Sequence, residues 1–202
     1  MLERFARTGP LHGRLLDVGA GRGVLARALG TSSHLRIIGL DRAFTALGSG
    51  PRPVVQGDCG RMPFADGSFD ILTAVLLLEH LPDDGEAFMA EAARLLVPGG
   101  RLCLVVPNAR SLVGVWLGLR RRLLRQTRGI DYHHPWSLPA LQALLHRHRF
   151  RIERVDFLSI GDYHGTFARF ASRLVVRFGP AAWREEIVLV ARRPALEPPD
   201  EG

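Results

Sequence analysis

Leu15-Leu16-Asp17-Val18-Gly19-Ala20-Gly21-Arg22-Gly23-Val24-Leu25 decides how this chain is read. Apolar Leu15, Leu16 and Val18 suit a strand covered on both faces. Gly19, Gly21 and Gly23 predict a tight turn whose backbone comes close to a ligand, because no Cβ stands in the way. A helix is expected to open directly afterwards, with its unpaired N–H groups pointing at the same spot. A strand, a glycine turn and a helix in this order hold a nucleotide-like molecule at the strand's carboxyl end.

The kind of nucleotide is read from the spacing. A dinucleotide fingerprint needs Gly or Ala where this chain has Val24, and Gly23 stands one place early. Downstream, Leu35–Leu40 is an apolar run of strand length, and Asp41 follows at once. An acidic side chain at the tip of a second strand, about 20 residues after the glycines, accepts from both hydroxyls of a ribose. That feature alone serves a nicotinamide dinucleotide and an adenosyl sulfonium equally. Pro53–Gly57 reads as a third strand ending at Asp58, a residue that also starts turns on its own account. Three acids, each closing an apolar run, form a joint pattern that chance rarely gives.

Asp66–Val75 reads as a turn feeding a fourth strand, followed by Leu76-Leu77-Leu78-Glu79-His80-Leu81-Pro82-Asp83. Glu86–Leu96 has helical spacing, with Phe88, Ala92 and Leu95 on one side. Val97-Pro98-Gly99-Gly100 is expected to stop that helix, and Arg101–Val106 to form the fifth strand. Ser137 reads as the N-cap of a helix over Leu138–Arg147, with Pro139 in its first turn. Phe150–Ser159 and Glu185–Arg193 are expected as the sixth and final strands.

Asp17 two residues ahead of the first glycine, with "PFADGSFD", "LLLEHLPD" and "LLVPGGRLCLVVPN" behind it, resembles the class I S-adenosylmethionine-dependent methyltransferases. The likeness is to the small-molecule group of the ubiquinone/menaquinone kind, type 11. It is close over Leu15–Asn108 and looser to Arg192. It implies an α/β fold, a Rossmann-like three-layer sandwich. Its seven-stranded sheet is mostly parallel, with the last strand antiparallel between the fifth and sixth. It implies S-adenosyl-L-methionine as cofactor. Gly19 and Gly21 would approach its methionyl part and ribose, while Asp17 orders the turn and the amino group. Asp41 would hold the ribose diol and Asp58 with Cys59 the adenine, and Ala20, Arg42 and Val75 are further cofactor-binding positions. Methyl transfer to a small or lipid-like acceptor is the implied activity. A non-catalytic cofactor-binding or interaction module is the second reading, and a nicotinamide oxidoreductase, disfavoured by Val24 and the later blocks, is the third.

His80 stands where the methyl group would be presented. A hydroxyl acceptor needs a base there, and His is the usual one, although a packing role is about as common for such a residue. Tyr132-His133-His134-Pro135-Trp136 precedes the Ser137 cap, so Tyr132, His134 and Trp136 are candidate substrate residues and His133 a second candidate base. Adjacent side chains on extended backbone point to opposite faces, so His133 and His134 suit no shared metal, and no metal is expected.

Composition agrees with one domain. A chain of 202 residues with 47% apolar content fills a sizeable core. Residues 1–193 are read as that domain, with 109–135 inserted as a lid segment and 194–202 as a loose tail. Cys59 and Cys103 read as reduced thiols of an intracellular enzyme. Residues 1–100 carry 10 Arg against 11 Asp and Glu, and residues 101–202 carry 17 against 9. The sequence has no lysine, so its basicity looks like genomic base composition and not a nucleic-acid surface, and interleaved stacking aromatics are missing. No secretory leader and no apolar run of spanning length stands out, which points to the cytoplasm. Within Ser111–Arg128, Leu112, Trp116, Leu119 and Leu123 share one helical face, with Arg121, Arg125 and Arg128 on another. Such a helix either packs as a lid or lies on an anionic membrane, and packing is the simpler outcome. A second amphipathic helix is expected over 166–178. The short stretch before the first strand leaves little material for a lid there.

Overall fold

The computed structural model describes residues 12–29, 34–43, 53–81, 85–111, 115, 135–158 and 180–195. Strand β1 covers Gly13–Val18, β2 Leu35–Asp41, β3 Val54–Gln56, β4 Phe69–Val75, β5 Leu96–Pro107, β6 Arg151–Leu158 and β7 Glu186–Arg192. The helices are α1 (Val24–Leu29), α2 (Glu86–Leu95) and α3 (Leu138–Arg147), with short 3-10 turns at Leu78–His80 and Ala181–Trp183. All seven strands form one sheet in the order β3-β2-β1-β4-β5-β7-β6. The pairs β1/β2, β1/β4, β2/β3 and β4/β5 are parallel. Strand β7 runs antiparallel to both β5 and β6, between them, as the sequence implied.

Alternation along the strands builds two cores, one on each face of the sheet. Leu16, Val18, Leu72, Leu102, Leu104 and Leu189 pack with Phe88 and Met89 of α2 and Leu141, Leu144 and Leu145 of α3. Their neighbours Leu15, Ile71, Cys103, Val105 and Val190 point the other way and pack with Leu25 and Ala26 of α1. Successive strand side chains face opposite sides, so a strand apolar at every position must be covered twice. Full burial of each Leu or Phe contributes about 1.5–3 kcal/mol, and this pins the register. The strand order reverses direction between β1 and β4, and such a switch point opens a crevice beyond the carboxyl ends of those strands.

The caps follow the sequence reading, and two boundaries depart from it. Ser137 Oγ accepts from the Ala140 N–H at 3.3 Å and starts α3. Helix α2 stops at Leu95, and Val97-Pro98-Gly99-Gly100 belongs to β5 instead of separating the two elements. Neighbouring backbone takes over the hydrogen bonds there: the Gly99 N–H donates to Arg193 O at 3.0 Å and the Arg193 N–H to Gly100 O at 2.8 Å. A Cβ on Gly100 would stand 2.9 Å from Val97 O and 3.2 Å from Asp70 O, so glycine is fitted to the close approach of β4. The third strand is only Val54–Gln56, shorter than its apolar run. Ser111 and Val115 apart, the amphipathic stretches in Ser111–Arg128 and 166–178, residues Tyr132, His133 and His134, and most of the 194–202 tail lie outside the described residues.

Candidate functional site

The glycine turn is stitched to the tip of β2. The Gly19 and Ala20 N–H groups donate to Leu40 O at 2.8 and 3.0 Å. The Gly21 N–H donates to Asp41 Oδ2 at 2.8 Å, and Asp41 Oδ1 accepts from the Ala43 N–H at 2.8 Å. Both carboxylate oxygens are therefore oriented, and each keeps a lone pair for a further donor. Gly19 has φ of +72° and Gly21 of +49°, a region that side chains rarely adopt. A Cβ on Gly19 would meet Leu77 Cδ1 at 3.1 Å, so the glycine keeps this approach open.

Beyond this turn lies a cleft of about 420 Å³, within the usual range for a small-molecule site. It brings together six of the residues expected from sequence: Gly19, Asp41, Arg42, Asp58, Cys59 and His80. They come from the turn after β1, the tip of β2, the turn after β3 and the 3-10 turn after β4, four separate segments meeting at one edge. Asp58 Oδ1 also accepts from the Gly60 N–H at 2.7 Å, so this acid shapes its own turn as well as facing the cleft. Leu77, Leu81 and Phe88 supply an apolar wall that the sequence did not single out. Phe88 arrives from α2, and only the fold brings that helix face to this edge.

Ala20, Gly21 and Val75 do not line the cleft, and neither does Asp17. Asp17 lies buried beneath the turn, where Thr73 Oγ1 donates to its Oδ1 at 2.9 Å. Burial pushes its carboxyl up to about 6 against the pull of that hydrogen bond, and the nearby Asp41 charge adds to the rise. Trp136 departs from the sequence expectation. Its ring belongs to the α2/α3 core, and its backbone bridges Asn108, with the Trp136 N–H donating to Pro107 O at 2.8 Å. It lines a separate groove with Ala140, Ala143 and Arg147, away from the cleft, because the chain must rejoin β5 before α3 begins. Cys59 and Cys103 form no disulfide, and burial raises the Cys103 thiol to about 12, out of reach of ordinary reactivity. Three further acids escaped the sequence reading: Glu79, Glu185 and Glu186 are buried at the carboxyl edge. Glu79 was read only as half of a pair with His80, and Glu185 and Glu186 only as the opening of the final strand.

The site suits an adenosyl ligand on its own chemistry. It offers a Cβ-free turn, a carboxylate at the tip of β2, a second acid after β3 and an apolar wall for a flat ring. Comparison with known proteins agrees. Residues 16–104 match the family model described as a methyltransferase domain. The 27-O-demethylrifamycin SV methyltransferase of Amycolatopsis mediterranei is 33% identical over 129 residues, covering 55% of this chain and 47% of that protein. The chain thus spans about half the length of that relative. A ubiquinone biosynthesis O-methyltransferase of Xanthomonas oryzae pv. oryzae is 32% identical over 187 residues, covering 86% of this chain and 77% of the relative. In structure, an S-adenosylmethionine-dependent methyltransferase from Methanosarcina mazei superposes with a TM-score of 0.72 at 18% identity, covering 95% of this chain and 97% of that one. At that identity the likeness speaks for the fold alone.

Proposed function

Because the chain belongs to the S-adenosylmethionine-dependent methyltransferases, we propose that it moves a methyl group from S-adenosylmethionine to a small-molecule or lipid-like acceptor. The carrying observation is the cleft at the switch point, where Gly19, Asp41, Asp58, Cys59 and His80 meet. The ligand, when bound, supplies an electrophilic methyl group on a sulfonium. In this reading Asp41 uses its free lone pairs to accept from the ribose hydroxyls while it fixes the glycine turn. Asp17 stands under the turn as the counter-charge for the amino group, and a cation there offsets the desolvation of its carboxyl. Asp58 and the backbone of Cys59 receive the adenine edge, and Leu77, Leu81 and Phe88 keep water from the ring.

His80 is exposed at the rim of the cleft and is assigned as the proton acceptor for a hydroxyl nucleophile. Tyr132, His133 and His134 are assigned to the acceptor side on the strength of their place before α3. Residues 1–193 are read as one catalytic domain. Among the described residues no helix is long and apolar enough to cross a membrane, and we assign the protein to the cytoplasm, with an acceptor met in solution or at a membrane surface. Calorimetry with the demethylated product, S-adenosylhomocysteine, tests the cofactor half: micromolar binding with none for NAD is the expected result. Its release on incubation with S-adenosylmethionine and a panel of phenols, quinones, amines and fatty acids tests the transfer. Binding of NAD in place of the adenosyl ligand overturns the assignment.

A further inference from the structure

The loop of residues 57–68 carries Asp58 and Cys59 into the cleft and has no helix or strand of its own. Its shape is therefore set by what it is tied to. At the cleft it makes a tight turn: the Arg61 N–H donates to Asp58 O at 3.1 Å, and the Gly60 N–H to Asp58 Oδ1 at 2.7 Å. This turn lies against α2, where a Cβ on Gly60 would stand 3.1 Å from Ala87 Cβ. Glu91 and Arg94 follow one and two turns later on α2, and neither lines the cleft. The Met62 N–H donates to Glu91 Oε2 at 2.6 Å. Arg94 Nη2 donates to Met62 O at 3.0 Å, and Nη1 to Phe64 O at 2.8 Å and Asp66 Oδ1 at 2.7 Å. Arg94 also forks onto Glu91, Nε to Oε1 at 2.7 Å and Nη2 to Oε2 at 2.8 Å. A guanidinium has five N–H donors, and all five are answered here.

Resting on the methyltransferase reading, we propose that Glu91 and Arg94 are positioning residues for the adenine of the cofactor, holding the turn at residues 58–61 where Asp58 and Cys59 can meet the base. The adenine edge presents an amino donor beside a ring acceptor. Matching it takes a carboxylate and an N–H at a fixed separation, and hydrogen bonds weaken steeply when the angle is lost. Just past the turn, both backbone groups of Met62 are gripped, the N–H by Glu91 and the carbonyl by Arg94, while its side chain is buried in the core. Just before the turn, the Gly57 N–H donates to Asp41 O at 3.0 Å, at the tip of β2. The turn is thus fixed on both sides. Ala87 and Phe88 of the same helix line the cleft, so α2 sets the loop and the apolar wall as one body.

The pair suits a fixed support. Hydrogen bonding from Arg94 holds the Glu91 carboxyl below the usual carboxylate range, against the desolvation of its partly buried side chain. Glu91 therefore stays ionised at neutral pH and keeps accepting from Met62. A lysine in place of Arg94 would keep the charge. Its three donors sit on one nitrogen and cannot span Met62 O, Phe64 O and both oxygens of Glu91 at once. An ion pair that only stabilised the fold would show in the melting temperature alone. A pair that positions the turn shows in how well the folded protein tells one base from another.

S-adenosylhomocysteine and its deaminated analogue S-inosylhomocysteine test this by calorimetry on the full chain, at a temperature where circular dichroism shows each variant folded. Deamination turns the amino donor into a carbonyl and the ring acceptor into an N–H. The unmodified protein should therefore bind the analogue at least roughly tenfold more weakly. Arg94→Lys should weaken S-adenosylhomocysteine by roughly tenfold or more and shrink the preference for adenine towards unity. Glu91→Gln, which is isosteric, should act in the same direction to a smaller degree, and it reads the effect even where Arg94→Lys does not fold. In an Asp58→Ala background the loss caused by Arg94→Lys should shrink, because no carboxylate remains to be positioned. A lowered melting temperature with an unchanged base preference in the folded variants overturns the positioning role. Equal losses with and without Asp58, or equal binding of the two ligands by the unmodified protein, also overturn it. Failure of the unmodified protein to bind S-adenosylhomocysteine overturns the methyltransferase reading beneath it.

Discussion

The Gly21 N–H donates to Asp41 Oδ2 at 2.8 Å, so one side chain at the tip of β2 fixes the turn that follows β1. The same carboxylate faces the cleft, and its two duties are inseparable. Asp41→Ala should lower affinity for S-adenosylhomocysteine by roughly 1–3 kcal/mol, through the lost ribose contact and a loosened turn. Asp41→Asn should fall between, since an amide oxygen still accepts from Gly21. Calorimetry on the three proteins checks the order, and an unchanged affinity in Asp41→Ala removes this residue from the site.

Gly19 is constrained twice, by its φ of +72° and by Leu77 Cδ1 only 3.1 Å from where a Cβ would stand. Gly19→Val should abolish ligand binding while circular dichroism still reports the sheet. Gly19→Ala should lose stability by the strain of its left-handed backbone plus the clash. Adding Leu77→Ala should recover the clash part only, and the melting temperatures of the single and double variants separate the two contributions.

The parts of the fold legible in sequence were those set by local chemistry. Leu102–Val106 is apolar at every position and Leu15–Val18 at all but Asp17, and only a doubly covered strand explains that. The Ser137 cap was equally plain. The run Val97–Gly100 misled because Pro and Gly usually end elements, whereas here Gly99 and Gly100 exchange backbone hydrogen bonds with Arg193 from the far end of the chain. Of the residues at the cleft, Asp41 and Asp58 were legible because each follows an apolar run, Gly19 through the glycine turn after β1, and Cys59 through the family resemblance. Phe88 and the burial of Glu79 and Glu186 were not. Their positions depend on which helix packs on the sheet and on the return of β7 between β5 and β6. Trp136 resembled a site residue for the same reason in reverse: its neighbours in sequence precede a helix start, while its ring is claimed by the core.

Asp17 carries a pH dependence whose sign can be worked out. Its carboxyl ionises near 6 in the folded protein against 3.8 when unperturbed, chiefly through burial. Between those values the unfolded chain has already released this proton and the folded one retains it. Rising pH across that window therefore costs the ligand-free protein stability. A cationic amino group beside Asp17 favours the ionised form, so affinity for S-adenosylhomocysteine should rise as pH passes through about 6. Thr73→Val removes the hydrogen bond that pulls the carboxyl down, and should shift the affinity profile to higher pH. Binding constants at half-unit steps from pH 5 to 8 test both statements, and a flat profile shows that Asp17 does not meet the amino group.

Glu79 and Glu186 should leave their own mark on the stability of the ligand-free protein. Each ionises near 7 in the folded chain and near 4.5 when unperturbed, so the ligand-free protein should lose stability as pH climbs from about 4.5 through 7. Glutamine has the same shape and no charge to desolvate. Glu79→Gln and Glu186→Gln should therefore melt higher than the parent at pH 8 and close to it at pH 5, where the parent's carboxyls are already protonated. Part of the rise in Glu186 comes from the charge of Glu79, and either substitution relieves that shared repulsion. The double variant should accordingly gain less at pH 8 than the two single gains together. Melting curves for the four proteins at both pH values decide this. Strictly additive gains would show that the two carboxyls do not sense one another, and a lower melting temperature of the single variants at pH 8 would show that both are held ionised by partners of their own.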